Sequence, residues 1–235
     1  MDPILFYGVP EGCSFGTIVA LEWSGIPYRL SRIGMPEEVS GEVYRAINPV
    51  GETPTLLTAR GDLLNESMAI LNHINGLSVA DGRGFAQGTA EFDRQNAMLA
   101  YLNTSFFNAF APLWYAFEHT TEGSVEKKIL TAYGKGKVAK THAMLEKMLG
   151  DNEWLLGKQR SQADAYFIGI ARWADFHQAI DRRDYPGLDR LRTKLEADPA
   201  VRFAQAIEHE EAATSVGQFK GHVSLAEILA SRQAA

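Results

Sequence analysis

ILFYGVPEGCSFGTIVALEWSGIPYRLSRI, residues 4–33, decides the fold. Ile4-Leu5-Phe6-Tyr7 is a short apolar run ended by Gly8 and Pro10, which predicts a strand. From Ser14 onward, Ile18, Val19, Leu21 and Trp23 recur at helical spacing, and Gly25 and Pro27 stop them. Tyr28–Ile33 reads as a second strand. Two strands joined through a helix in this way run parallel.

Working outward, Glu37–Ile47 predicts a short helix and Asn48-Pro49-Val50-Gly51 a turn. Thr55-Leu56-Leu57 and Leu63-Leu64 flank Arg60-Gly61-Asp62, which predicts a hairpin. Glu66-Ser67 opens a helix through Ile74, so the order is β-α-β-α-β-β-α, ending near Leu77. Residues 78–88, rich in Gly, Ser, Ala and Asp, read as a linker. Beyond it no strand is expected. Helical periodicity covers 89–118, with a bend at Pro112, and 124–149. Ser161-Gln162-Ala163-Asp164 is a capping-box pattern opening an apolar helix to about Ala179, and shorter helices follow at about 187–197 and 199–210. Leu225–Leu229 is weakly amphipathic. The expectation is an α/β domain over 1–78 and an all-helical domain over 88–235.

Composition excludes several classes. Of 235 residues, 46% are hydrophobic and 22% charged, as in a globular protein. The net charge of −6 is spread along the chain. Duplex binding needs a concentrated basic face, so neither a nucleic acid nor a membrane surface is an expected partner. Cys13 is the one cysteine, which rules out an intramolecular disulfide and suits a reducing compartment. Met1-Asp2-Pro3 has no basic leader character, and no run approaches the ~20 apolar residues of a membrane span. The expected location is cytoplasmic. The six histidines show no metal-ligand spacing, so no metal site is expected.

Three places could carry chemistry. Cys13 and Ser14 lie where the first strand meets the first helix, and a helix N-terminus stabilises a thiolate. Thr53-Pro54 precedes a strand, where a proline is tolerated because it owes the ladder no N–H. Glu66-Ser67 stands at a helix start, where unpaired N–H groups suit a ligand carboxylate and Glu66 suits an ammonium. Each has a structural reading too: Cys13 as packing, Pro54 as an ordinary strand starter, Ser14 and Ser67 as caps.

Taken in order, these motifs resemble the glutathione transferase superfamily, in a bacterial, beta-like or related class. The resemblance runs from about Ile4 to about His209. It rests on Gly12-Cys13-Ser14, Gly25-Ile26-Pro27-Tyr28, Asn48-Pro49-x-Gly51-x-Thr53-Pro54-Thr55-Leu56, Glu66-Ser67-x-Ala69-Ile70 and Ser161-x-Ala163-Asp164. It implies a thioredoxin-like α/β first domain, an all-α second domain, a cis bond before Pro54 and a homodimer. It implies that the main chain of Thr53 binds the cysteinyl part of glutathione, and that Glu66 and Ser67 hold its γ-glutamyl end. Cys13, Ser14 and Tyr7 each match a position used by one class or another to activate the thiol. Beta-class members carry a His-Lys pair where this chain has Phe107 and Asn108, a departure that implies an apolar substrate pocket at Phe107, with Tyr7 also near the thiol.

The implied function is a glutathione transferase in detoxification, attaching the glutathione thiolate to an alkyl or aryl group of a small apolar electrophile, with glutathione as co-substrate and no metal. Two alternatives share the fold: a non-catalytic glutathione-binding protein, and a mixed-disulfide reductase using Cys13.

Overall fold

A computed structural model of the chain describes residues 1–233. It divides into two compact units, one of residues 1–87 together with the chain from Ala197 on, the other of 88–196.

The first unit is built on β1 (Ile4–Val9), α1 (Phe15–Ser24) and β2 (Pro27–Gly34). β1 and β2 are parallel, with Ile4 opposite Arg29 and Val9 opposite Gly34. β3 (Thr55–Leu57) runs antiparallel to β1, and β4 (Leu63–Asn65) closes the expected hairpin. α4 (Ser67–Leu77) follows. The span expected as one helix over 37–47 is two single turns, α2 (Glu37–Ser40) and α3 (Glu42–Arg45). Gly41 between them is extended, at φ −72° and ψ 154°.

Every residue of β1 is buried, as befits a central strand. Every residue of α1 is buried too, because α11 (Pro199–Glu208) packs against it. Trp23 Nε1 donates to Asp198 at 3.1 Å, and Asp198 also caps α11 by accepting from Ala200 N–H at 2.8 Å.

The expected all-helical span 88–235 needs correcting here. From Ala197 the chain returns to the first unit, and Gln218–His222 forms a fifth strand, β5, parallel to β2. The sheet order is β4-β3-β1-β2-β5. β5 carries little hydrophobic pattern because an edge strand is held by main-chain bonds, and only Phe219 among its residues is a large apolar side chain.

The tail is fastened at three points. Glu22 on α1, only 3% exposed, accepts hydrogen bonds from Tyr28 Oη, Ser215 Oγ, Val216 N and Gly217 N at 2.5–2.9 Å. A side chain on Gly217 would put Cβ 2.9 Å from Glu22 Cα. Next, Val223 N–H donates to Leu30 O at 2.9 Å. Finally Ser224 and Glu227 cap each other at the start of α12 (Leu225–Gln233). Leu225 and Ile228 close the apolar face formed by Ile4, Phe6, Ile33, Tyr44 and Ile47. The amphipathic segment 225–229 is thus part of a core.

The second unit is helical: α5 (Ala90–Tyr101), α6 (Ala111–His119), α7 (Val125–Leu149), α8 (Gln162–Ala171), α9 (Trp173–Phe176) and α10 (Pro186–Glu196). The bend expected at Pro112 comes earlier. Leu102–Phe106 is a π-helical turn and Phe107–Phe110 a 3₁₀ turn. Pro112 sits in the first turn of α6, where its missing N–H costs nothing. The capping box before α8 is present, with Ser161 N and Leu155 N both donating to Asp164 at 2.8 and 2.9 Å. α8 ends at Ala171, short of the expected Ala179.

Candidate functional site

The first unit gathers its candidate residues at the carboxyl end of β1. The register does this. Thr55 lies opposite Phe6 on one side and Asn65 on the other. Thr53-Pro54, just before β3, and Glu66-Ser67, just after β4, therefore share the end of the sheet to which β1 delivers Gly8.

Gly8 is the junction. A Cβ there would lie 2.3 Å from Thr53 Oγ1, so only glycine lets the Thr53 loop approach. Its N–H donates to Ser14 Oγ at 2.9 Å. Gly12 is similarly constrained, since a Cβ on it would meet Gly8 O at 2.2 Å.

The Thr53 loop is braced from below. Asn48 Nδ2 donates to Glu52 O at 2.8 Å, and its Oδ1 accepts from Val50 N–H at 3.1 Å. Tyr44 Oη donates to Glu52 O and meets Thr55 Oγ1, each at 2.9 Å. Burial pushes the Tyr44 phenol up to about 12, so it stays a donor. The Thr53–Pro54 peptide is cis.

Glu66 holds φ +72° and ψ 123°, a backbone region that non-glycine residues rarely occupy. It is exposed, and it makes no side-chain cap on α4. The first turn of α4 thus has no side-chain cap on its N–H groups, and Ser67, at the first helical position, is buried. An exposed carboxylate in a strained backbone beside an uncapped helix start suits a ligand with both an ammonium and a carboxylate.

At α1 the two adjacent candidates differ. Ser14 is wholly buried, makes no side-chain cap, and its hydroxyl receives Gly8 N–H. Cys13 is half-buried. Tyr7 is 1% exposed, and its hydroxyl lies 3.0 Å from His222 Nε2 on the tail. Burial raises the Tyr7 pKa.

In the second unit Phe106 and Phe110 are core residues without exposure, whereas Phe107 is half-buried, its ring 5.4 Å from that of Trp173.

Sequence reasoning missed the close approach at Gly8 and Gly12, and missed Glu22 and His222 altogether. The two glycines flanking the Pro10 turn were the available signal for close approach. Glu22 and His222 had none, since their partners are far along the chain. Among the described residues no group of three His, Cys, Asp or Glu could hold a metal ion, and no helix is long and apolar enough to cross a membrane.

Comparisons with known proteins bear on the fold that carries these residues. The family model for the glutathione S-transferase N-terminal domain matches residues 12–77, and that for the C-terminal domain matches 95–199. β5 and α12 lie beyond both. A glutathione S-transferase of Xanthomonas campestris pv. campestris is 28% identical over 206 residues, covering 86% of this chain and 97% of its own. The glutathione S-transferase GstA of Escherichia coli O157:H7 is 28% identical over 179 residues, covering 72% and 81%. A sphingomonad glutathione S-transferase, solved in complex with glutathione, superposes with a TM-score of 0.76 at 28% identity, covering 88% of this chain and 98% of its own.

Proposed function

Because the chain belongs to the glutathione transferase superfamily, we propose that it binds glutathione at the end of β1 and promotes attack of the glutathione thiolate on a small electrophile. A sphingomonad relative solved in complex with glutathione supports the first half of this reading.

The observation that carries it is Glu66: exposed, at φ +72°, next to an uncapped helix N-terminus and one strand away from Thr53-Pro54. The γ-glutamyl carboxylate goes to Ser67 and the first turn of α4, where the helix dipole favours an anion. Its ammonium goes to Glu66. The cysteinyl segment pairs with the main chain of Thr53, which the Asn48 and Tyr44 bonds hold in place.

A free thiol has a pKa of about 8.5 and is mostly protonated at neutral pH. The start of α1 lowers that value by offering partial positive charge to the thiolate. In this reading Cys13 stands beside the ligand sulfur, being half-buried where Ser14 is wholly buried. Ser14 positions the turn. Tyr7 has its hydroxyl committed to His222. The thiolate lone pair forms the new C–S bond as the electrophile's leaving group departs or its double bond takes up the electrons.

The electrophile is apolar in this reading, with Phe107 against it, and the protein acts in the cytoplasm as a homodimer. Calorimetry tests the core of it. Glutathione should bind saturably, and Glu66→Ala should weaken it by roughly tenfold or more, about the worth of one charge-assisted hydrogen bond. Absence of binding at millimolar glutathione would refute the assignment.

A further inference from the structure

The first unit holds a second concavity that the glutathione reading does not use. It is an open cavity of about 610 Å³, and none of Cys13, Ser14, Thr53, Glu66 or Ser67 lines it. That volume lies within the ~300–1,000 Å³ of ordinary small-molecule sites. Tyr7 and Arg32, neighbours across β1 and β2, form one side. The tail forms the other, from His222 to Glu227, and the bonds to Glu22 and the burial of Leu225 hold that wall in place.

The lining is unbalanced in charge. Among the described residues its lining carries Glu38, Glu210, Glu211 and Glu227 and one guanidinium, that of Arg32. Arg32 Nη1 stands 3.3 Å from Glu210 Oε1, so those two offset each other. Glu38 accepts from Gly34 N–H at 2.7 Å, and Glu227 accepts from Ser224 while Arg29 also acts on it. His222 adds no charge at neutral pH, since burial and Arg32 lower its pKa. Four carboxylates, against the guanidinium of Arg32 and that of Arg29 acting on Glu227, leave the described lining acidic.

The rest of the lining is not that of an ion site. Ile207, Val223 and Leu225 are apolar, and the rings of Tyr7 and His222 stand 5.9 Å apart. The carboxylates do not converge as metal ligands do. Carboxylates at the rim and apolar walls together match an organic cation, whose charge meets the acids while its stem meets the aliphatic side chains.

We propose that the C-terminal tail completes a binding site for a small organic ammonium ion with a short branched apolar stem, received by Glu211 and Glu227 and facing Tyr7. The site is separate from that of glutathione, and nothing in the proposal depends on transferase activity.

The test uses the full chain and three isosteric probes: 3-methylbutylammonium, 3-methylbutan-1-ol and 3-methylbutanoate. Calorimetry or ligand-observed NMR should show saturable binding of the ammonium ion and at least roughly tenfold weaker binding of the alcohol and the carboxylate. Glu211→Gln, which removes an exposed charge and no side-chain bond of the fold, should weaken the ammonium about threefold or more and leave glutathione affinity unchanged. Equal affinity for the alcohol, indifference to Glu211→Gln, or no saturable binding of the ammonium each overturns the proposal. A protein that takes the ammonium but not glutathione would sink the transferase reading and leave this one standing.

Discussion

Gly8 N–H donates to the hydroxyl of Ser14 at 2.9 Å inside the first unit. That bond separates two adjacent residues with the same apparent candidacy. Ser14→Ala would leave a buried N–H without its partner, at a cost of about 1–3 kcal/mol. Cys13→Ala removes a thiol that is only half-buried. Cys13→Ala should therefore depress turnover of a generic aromatic electrophile with little change in melting, and Ser14→Ala should lower melting first. If Ser14→Ala abolishes turnover at full stability, the serine is the activating group instead.

Glu66→Gly offers a test in which stability and function move in opposite directions. The backbone at φ +72° costs a glutamate but not a glycine. The substitution should stabilise the protein by up to about 1 kcal/mol in denaturant titrations, while glutathione affinity collapses. Loss of stability would mean that the Glu66 side chain holds the fold.

The tail should prove integral to the first unit. Gly217→Ala forces a Cβ to within 2.9 Å of Glu22 Cα. Glu22→Gln replaces a fourfold acceptor by a group whose amide would face main-chain donors, at a cost of about 1–3 kcal/mol or more. Both variants should melt earlier and be cleaved more readily near 215–224 in limited proteolysis. A tail that is cleaved just as readily in the unsubstituted protein would show it to be loosely held.

Stability should depend on pH through His142, which is 3% exposed. Burial lowers its pKa to about 4, against a smaller opposing effect of its 2.8 Å bond with Val138 O. Between pH ~6.5 and ~4 the unfolded chain binds a proton there that the folded chain refuses, so this contribution falls as pH falls, by up to about 1.4 kcal/mol per unit. Asp164 acts in the opposite sense. Burial, partly countered by bonds from Leu155 and Ser161, raises it to about 6, so its contribution falls as pH rises toward that value. The readout is thus the difference between the protein and His142→Asn, which should show a flatter acid limb. Identical slopes would show that His142 is not held neutral.

Phe107→Ala should lower turnover of apolar aromatic electrophiles more than it lowers glutathione affinity, by about 0.5–1.5 kcal/mol beyond lost area. Melting should shift little, because Phe106 and Phe110, not Phe107, are the wholly buried rings. Unfolding of the variant with unchanged substrate preference would make Phe107 a core residue.

Much of this protein was settled by local sequence. The spacing from Ile4 to Ile33 dictated a parallel β-α-β unit, and Arg60-Gly61-Asp62 between two apolar runs dictated a hairpin. Ser161-Gln162-Ala163-Asp164 marked the start of α8 to the residue. These features are legible because periodicity, turn chemistry and capping act over a few residues, and each names its own partner. The site motifs were legible locally as pairs, Thr53-Pro54 and Glu66-Ser67, and only the family resemblance joined them into one site. It took the strand register to bring them to the end of β1.

Only the tertiary structure decided the rest. Gln218–His222 is a strand because β2 presents an open edge, and main-chain pairing asks almost nothing of side chains. The buried carboxylate of Glu22 is tolerable only because Ser215, 193 residues further on, returns with its neighbours to satisfy it. Tyr7 is one of three candidate thiol activators in the sequence, and only the returning tail brings His222 Nε2 to 3.0 Å from its hydroxyl. In each case the deciding partner lies far along the chain, and no local pattern in a sequence records which distant segment will come to fill an edge, a charge or a hydroxyl.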